Sequence, residues 1–386
     1  MNTAVEKSRA IGREVAIVHA DDVDQKSRFP AETIQAVRAA GLLGASVPQS
    51  LGGLGASATD LVTMCQNLAQ GCSASGMVFA MHHIKVASLV RHMGQEPKLR
   101  AYAERVVKEQ RLVASVTSEV GVGGDMRSSV CAVERSESGF SVVKDATTIS
   151  YGAHADDLLL TSRRASDSPA GDQVLVLLEK GNYELEPTTT WDTLGMRGTC
   201  SPGFKVRGKG PLGYILPTPF SEIATMSMVP YSHLLWSGVW LGIASEAVNR
   251  ARTFVRGEAR KRPGFTPPAA IRLAEVTTQL QTMREHIHAA SAEYDELAAR
   301  PDGGRDALSS MGWALRINQL KIASSEAAAA ITHLALGICG ILGYKNGSPF
   351  SIGRLHRDAL SAALMINNDR IHTTNASILL VHKDDT

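Results

Sequence analysis

The stretch "ASVTSEVGVGGDMRSS", residues 114–129, sets three glycines and a string of hydroxyls around one acidic pair, Glu119 and Asp125. Gly121, Gly123 and Gly124 allow backbone N–H groups to approach a ligand closely, as glycine loops do around phosphates. A phosphate loop needs a Lys-Ser/Thr pair after its last glycine. A dinucleotide fingerprint needs spaced glycines that open a helix after a strand. Asp125 follows Gly124, so neither pattern is met. On these residues alone a ligand loop and a plain surface turn both stay open, and the rest of the chain decides.

The chain has 386 residues, enough for two or three domains with substantial cores. Its 40 basic and 38 acidic residues leave a formal charge of +2, so no general field favours nucleic acid or an anionic membrane. A small ligand is the expected partner. Cys65, Cys72, Cys131, Cys200 and Cys339 are scattered and form no C-x-x-C pair, which argues against a zinc site and a disulfide framework; no metal site is expected. Reduced thiols point to a cytoplasmic protein. The opening "MNTAVEKSRAIGREVAIVHADD" interrupts its apolar positions with charge, unlike a signal peptide, and no later segment reaches ~18 unbroken apolar residues.

Working outward from the glycine stretch, the period of the apolar residues changes on both sides. Residues 1–112 read as a helical domain: "PAETIQAVRAAGLL", "ATDLVTMCQNLAQ" and "GMVFAMHHIKVASLVRHM" repeat apolar residues every three or four positions. Residues 113–215 hold short β-rich runs between Gly, Asp and Ser turns, such as "GFSVVKDATTISYG" and "DQVLVLLEKG". Residues 216–386 carry four long helical segments, at about 233–262, 269–299, 306–338 and 355–382, suited to an up-and-down bundle. Helices, strands, then helices again, without βαβ alternation, describe an α+β multidomain chain.

This order, with "VPQSLGGLGAS" (47–57), "VTSEVGVGGD" (116–125) and "LGMRGTCSPGF" (194–204) at its joints, resembles the acyl-CoA dehydrogenase superfamily over nearly the whole chain. The resemblance implies an N-terminal helical domain, a middle β-barrel and a C-terminal four-helix bundle, with FAD between barrel and bundle. It also implies a homo-oligomer, a dimer or tetramer. The expected substrate is an acyl thioester of CoA or a carrier protein, and the expected redox partner an electron-transfer flavoprotein or a flavin reductase. The glycine stretch becomes a flavin loop: Ser118 stands where the family commonly has a flavin-bonding Thr, and Thr117 offers its backbone to the ring edge. "TISYG" (148–152) resembles the family's second flavin segment, with Ser150 for the bonding Thr and Thr148 for the aromatic that packs on the ring. The basic run "RGEARKRPGF" (256–265) resembles the segment that reaches a neighbouring subunit's FAD, with Arg256 in the phosphate role. Gly340 in "GICGILGY" and Asn368 complete the implied cofactor set. Gly124 stands where many members have a Ser that touches the substrate's pantetheine.

One family residue is missing. Acyl-CoA dehydrogenation requires a carboxylate to remove the α-proton, in most members about eight residues after an Arg-Asp pair. Counting from Arg357 and Asp358 reaches Ile366, and the alternative family position, on the first bundle helix, offers Ser232 or His233. Three readings follow: a dehydrogenase with a displaced base, with Asp369 one helical turn beyond Ile366; a flavin monooxygenase of the same fold; or a flavin-binding protein without turnover. The adjacent His82 and His83, and His286 and His288, have no spacing suited to a metal and read as packed or surface histidines.

Overall fold

A computed structural model describes residues 3–261 and 263–383; Arg262, in the basic run, lies outside them. The N-terminal part comprises α1 (Thr3–Ile11), α2 (Ile17–Gln25), α3 (Ala31–Ala39), α4 (Ala58–Gly71), α5 (Ser73–His92) and α6 (Pro97–Glu109). Local chemistry sets the boundaries. Ser57 and Asp60 form a reciprocal capping box at the start of α4, and Pro97 occupies the first turn of α6, where its missing N–H leaves no bond unmade.

Two sheets follow. One joins β1 (Val113–Val116), β4 (Asp157–Arg163) and β5 (Gln173–Glu179) in the order β1-β4-β5, with β1 parallel to β4. Its strands "DLLLTSR" and "QVLVLLE" are buried almost throughout because both faces are covered. The other is antiparallel, ordered β2-β3-β7-β6, from β2 (Glu134–Ser136), β3 (Gly139–Ala146), β6 (Tyr183–Pro187) and β7 (Phe204–Gly210). Burial alternates along β3, as one solvated face requires. The expected barrel is therefore two packed sheets and does not close. Gly208 of β7 permits their close approach, since a Cβ there would lie 2.5 Å from the Leu178 side chain of β5.

The C-terminal part holds α7 (Phe220–Ile223), α8 (Val229–Lys261), α9 (Ala269–Ala298), α10 (Arg305–Leu308), α11 (Met311–Tyr344), α12 (Gly353–Leu360) and α13 (Asn368–Leu379). α8, α9 and α11 pack on one another, and α4 and α5 pack on α8, so one core runs from the first domain into the bundle. α11 is long and apolar enough to span a membrane by length and composition, and here it packs within the bundle. The fourth expected helix is two short ones. Turns over 361–367 separate α12 from α13, and Ile366 sits there at φ 56°.

Candidate functional site

A cavity of about 640 Å³ opens where α5, the glycine loop, the loops over 148–150 and 191–201, the start of α8 and the turns after α12 meet. Its lining carries the hydroxyls of Thr117, Ser118, Thr148 and Ser150 together with the side chains of Met81, Met228, Trp191, Trp236, Met365 and Ile366.

The acidic pair of the glycine stretch divides into two roles. Glu119 is buried and accepts from Ser129 Oγ at 2.7 Å and from the Cys131 N–H at 2.6 Å, with Lys144 Nζ at 3.2 Å. Burial pushes its carboxyl up, but the Lys144 charge and these hydrogen bonds outweigh that and hold it below the ordinary range. Lys144, fully buried, also donates to the Thr161 carbonyl at 2.7 Å. This pair pins the loop from below. Asp125 is at the rim, 3.0 Å from the exposed Arg127 guanidinium. Gly124, at φ 77°, lines the cavity beneath Arg370: a Cβ would lie 3.0 Å from Arg370 Nη1, whose other terminal nitrogen donates to the Gly123 carbonyl.

Hydroxyls tie the two flavin-like segments together. Ser118 Oγ donates to the Thr148 carbonyl at 2.8 Å and accepts from the Thr148 N–H at 3.1 Å. Ser201 Oγ donates to Ser150 Oγ at 3.0 Å. Thr117 Oγ1 accepts from Lys85 Nζ at 3.0 Å. Thr117, Ser118, Gly124, Thr148 and Ser150 are thus brought to one cavity from residues up to 33 positions apart in a chain fragment that sequence order alone leaves unconnected.

Four other residues from the sequence reading lie elsewhere. Asp369 is exposed in the first turn of α13 and faces a separate groove with Arg127, Asn367 and Arg370. The helical-turn argument fails because Ile366 is in a left-handed turn rather than on a helix, which breaks the common face. Asn368 is buried outside the cavity; its Oδ1 accepts from Lys321 Nζ at 2.6 Å and its Nδ2 donates to Ser325 Oγ at 3.1 Å. Arg256 is exposed on α8. Gly340 marks a kink in α11 with φ 56° and ψ −138°, a conformation glycine tolerates best, and its surroundings are open.

Ser232 and Ile366, the two family base positions, both line the cavity. Ser232 Oγ donates to the Met228 carbonyl at 2.6 Å. His233 does not line the cavity, and burial pushes its imidazole down to about 3, so it stays neutral. Tyr151 is no substitute for the missing ring-packing aromatic: it is fully buried with its hydroxyl donating to the Val113 carbonyl at 2.9 Å. The aromatic surfaces come instead from Trp191 and Trp236, which the sequence reading missed.

Lys85 and Arg357 were missed as well. Met77, Met81 and Lys85 recur every four residues on α5 and all line the cavity, so the helical spacing itself carried the signal. Arg357 reaches the mouth from α12, donating to Asp24 Oδ1 at 3.1 Å and the Leu194 carbonyl at 2.7 Å. Its neighbour Asp358, buried, accepts from the Met196 N–H at 2.7 Å. The Arg-Asp pair anchors the 194–196 segment to α12 rather than merely opening a helix.

A lining that combines hydroxyls with apolar and indole side chains suits a flat tricyclic ring with a polar edge, and the fold and cavity together define a flavin-dependent oxidoreductase of α–β–α build. The chain belongs to the acyl-CoA dehydrogenase superfamily: residues 3–110 match the acyl-CoA dehydrogenase N-terminal domain and residues 224–374 the C-terminal domain. It is 26% identical to an L-evernosamine nitrososynthase of Micromonospora sp., over 90% of this chain and 82% of that one. It is 23% identical to the human mitochondrial short-chain specific acyl-CoA dehydrogenase, over 88% and 80%. In three dimensions it is similar to FMN-bound TdsC of Paenibacillus sp. A11-2, a dibenzothiophene monooxygenase, with a TM-score of 0.85, 20% identity and coverage of 99% and 98%.

Proposed function

We propose that the chain is a flavin-dependent monooxygenase acting on a small, largely apolar molecule, with reduced flavin regenerated by a separate reductase. One observation carries this reading. Both positions that hold the base in dehydrogenases of this superfamily line the cavity here as Ile366 and Ser232, and Asp125, the one carboxylate on its lining among the described residues, is paired with Arg127. Neither an alkyl chain nor a hydroxyl that donates to a carbonyl can take an α-proton. The nitrososynthase and monooxygenase similarities support the same choice.

Reduced flavin, when bound, supplies the electrons that activate molecular oxygen. The chain's own residues supply the enclosure. Met81, Trp236, Met365 and Ile366 keep water from the reacting face, while Thr117 and Ser118 hold the polar edge of the ring. FAD is the proposed form, with its phosphates toward the groove of Arg127, Arg370 and Thr373 beside the glycine loop. The proposed assembly is a homo-oligomer in which Arg256 reaches a neighbour's cofactor.

The test is an anaerobic absorbance scan of the yellow protein with a panel of acyl-CoA thioesters, paired with aerobic turnover on NADH, a flavin reductase and dibenzothiophene or indole under ¹⁸O₂. The expected results are an unbleached flavin band and a product carrying ¹⁸O. Rapid bleaching by an acyl thioester overturns the reading in favour of dehydrogenation.

A further inference from the structure

We propose that Lys85 is the acid–base residue of the cavity: its uncharged amine takes a proton from a weakly acidic hydroxyl of the bound ligand, and the ammonium so formed stays beside the resulting anion. The ligand's O–H bond breaks, an N–H bond forms, and the electron pair stays on oxygen. No electrons leave either partner. The proton returns to water when the cavity empties. The inference rests on the proposed reading of the cavity as the chamber of a small, largely apolar ligand, here one that carries a hydroxyl.

Donor counting carries the geometry. Lys85 is 1% exposed, and its Nζ has two acceptors, Thr117 Oγ1 at 3.0 Å and the thioether of Met228 at 3.3 Å. An ammonium has three N–H donors and no lone pair, and a thioether is a weak acceptor for a charge. A free amine has two N–H groups, which those two acceptors satisfy, and a lone pair left over at the cavity wall. Thr117 Oγ1 lies 3.2 Å from Ser115 Oγ, so the amine stands at the end of a short row of hydroxyls that also line the cavity.

Among the described residues no negative charge has a resolved effect on Lys85. The one charged group with a resolved effect among the described residues is Lys144 of β3, a like charge, itself paired with Glu119. On α5, His82 and His83 are buried and held neutral chiefly by burial. At the cavity rim Asp125 is matched by Arg127, and Arg357 by Asp24. Burial, and then the Lys144 charge, push the Lys85 amine down to about 7 from an ordinary 10.5. A base that loses its proton near neutrality suits proton transfer at working pH.

The test has two arms. In the first, thermal midpoints of wild type and Lys85→Met are compared from pH 6 to 10.5, with Lys85→Gln as a second variant should the first misfold. Between about pH 7 and 10.5 the unfolded chain holds a proton that the folded one has released, so wild type gains on the variant as pH rises through that window. Parallel curves mean a charged lysine and overturn the proposal. This arm involves no redox chemistry, so it stands whether or not oxygenation is observed. In the second, 4-nitrophenol is titrated in the presence of the flavin-loaded protein. Wild type makes the bound probe ionise about tenfold more readily than in water, and Lys85→Met does not. The free-solution titration in wild type, or the same shift in both proteins, overturns it.

Discussion

At the scale of single residues, Ile366 is the position under most constraint. A β-branched residue at positive φ brings its Cβ against its own carbonyl, which costs about 1–2 kcal/mol. Lys321 of α11, fully buried, holds the turn by donating from Nζ to the Ile366 carbonyl and to Asn368 Oδ1, each at 2.6 Å, with Trp240 beneath its ammonium at 5.8 Å. Lys321→Met leaves the carbonyl and the amide without that donor, so it should lower unfolding free energy by about 1–3 kcal/mol, checked by urea denaturation at pH 7. It should also loosen Ile366 in the cavity wall and so weaken flavin binding in a fluorescence titration. An unchanged stability would show that water replaces the amine without loss. Lys321 was not legible in the sequence as a site residue, and Lys85 only through its four-residue spacing from Met77 and Met81. A lysine within an apolar helical repeat looks the same whether it caps a distant carbonyl or faces a cavity; here the partners are 45 residues away for Lys321 and 32 for Lys85.

At the scale of elements, the glycine loop and the broken fourth helix show what local patterns can and cannot give. The loop's composition leaves a ligand loop and a surface turn both open, and only the resemblance marks it as a flavin segment. Its anchor was not legible, because Glu119 and Lys144 meet only when β3 lies beneath the loop. Breaking a buried pair leaves one charge without compensation, so Glu119→Gln should destabilise the protein by about 3–5 kcal/mol. The same variant should reduce flavin retention on gel filtration, since the loop loses its bonds to Ser129 and Cys131. Retained flavin in a destabilised variant would mean that the Ser118–Thr148 stitch alone holds the loop in place. The break at 361–367 was illegible for a related reason. No Pro or Gly stands between residues 355 and 382 to announce it, and a contact from α11 imposes it against helical propensity. Asp369 was misplaced as a consequence.

For the whole molecule, two predictions concern charge and assembly. His82 and His92, with burial pushing each down to about 4, His233 down to about 3 and His83 well below 6.5, are neutral when folded at neutral pH. The unfolded chain protonates them below about 6.5, so it binds more protons and stability falls as pH drops from 6.5 toward 4, by up to about 1.4 kcal/mol per pH for each histidine. Urea midpoints should therefore be lower at pH 5 than at pH 7.5; equal midpoints would refute the neutral assignment. Ile341, Tyr344 and Leu364 are each more than 60% exposed, with the largest at 73%, apolar side chains that a partner copy would cover. Light scattering should give two or four times 41.2 kDa, and Arg256→Ala should weaken flavin affinity ten- to hundredfold, the effect of about 1.5–3 kcal/mol lost from one charged contact. A monomeric mass would remove Arg256 from the site. The clasp between Arg357 and Asp24 joins positions 333 residues apart, and the cavity takes Met77 from one end of the chain and Ile366 from the other. On the ribosome, then, the helical and β parts emerge and collapse first, while the chamber itself exists only after the final turns have been made. A chain released early is left with an apolar half-pocket open to solvent and nothing to fill it.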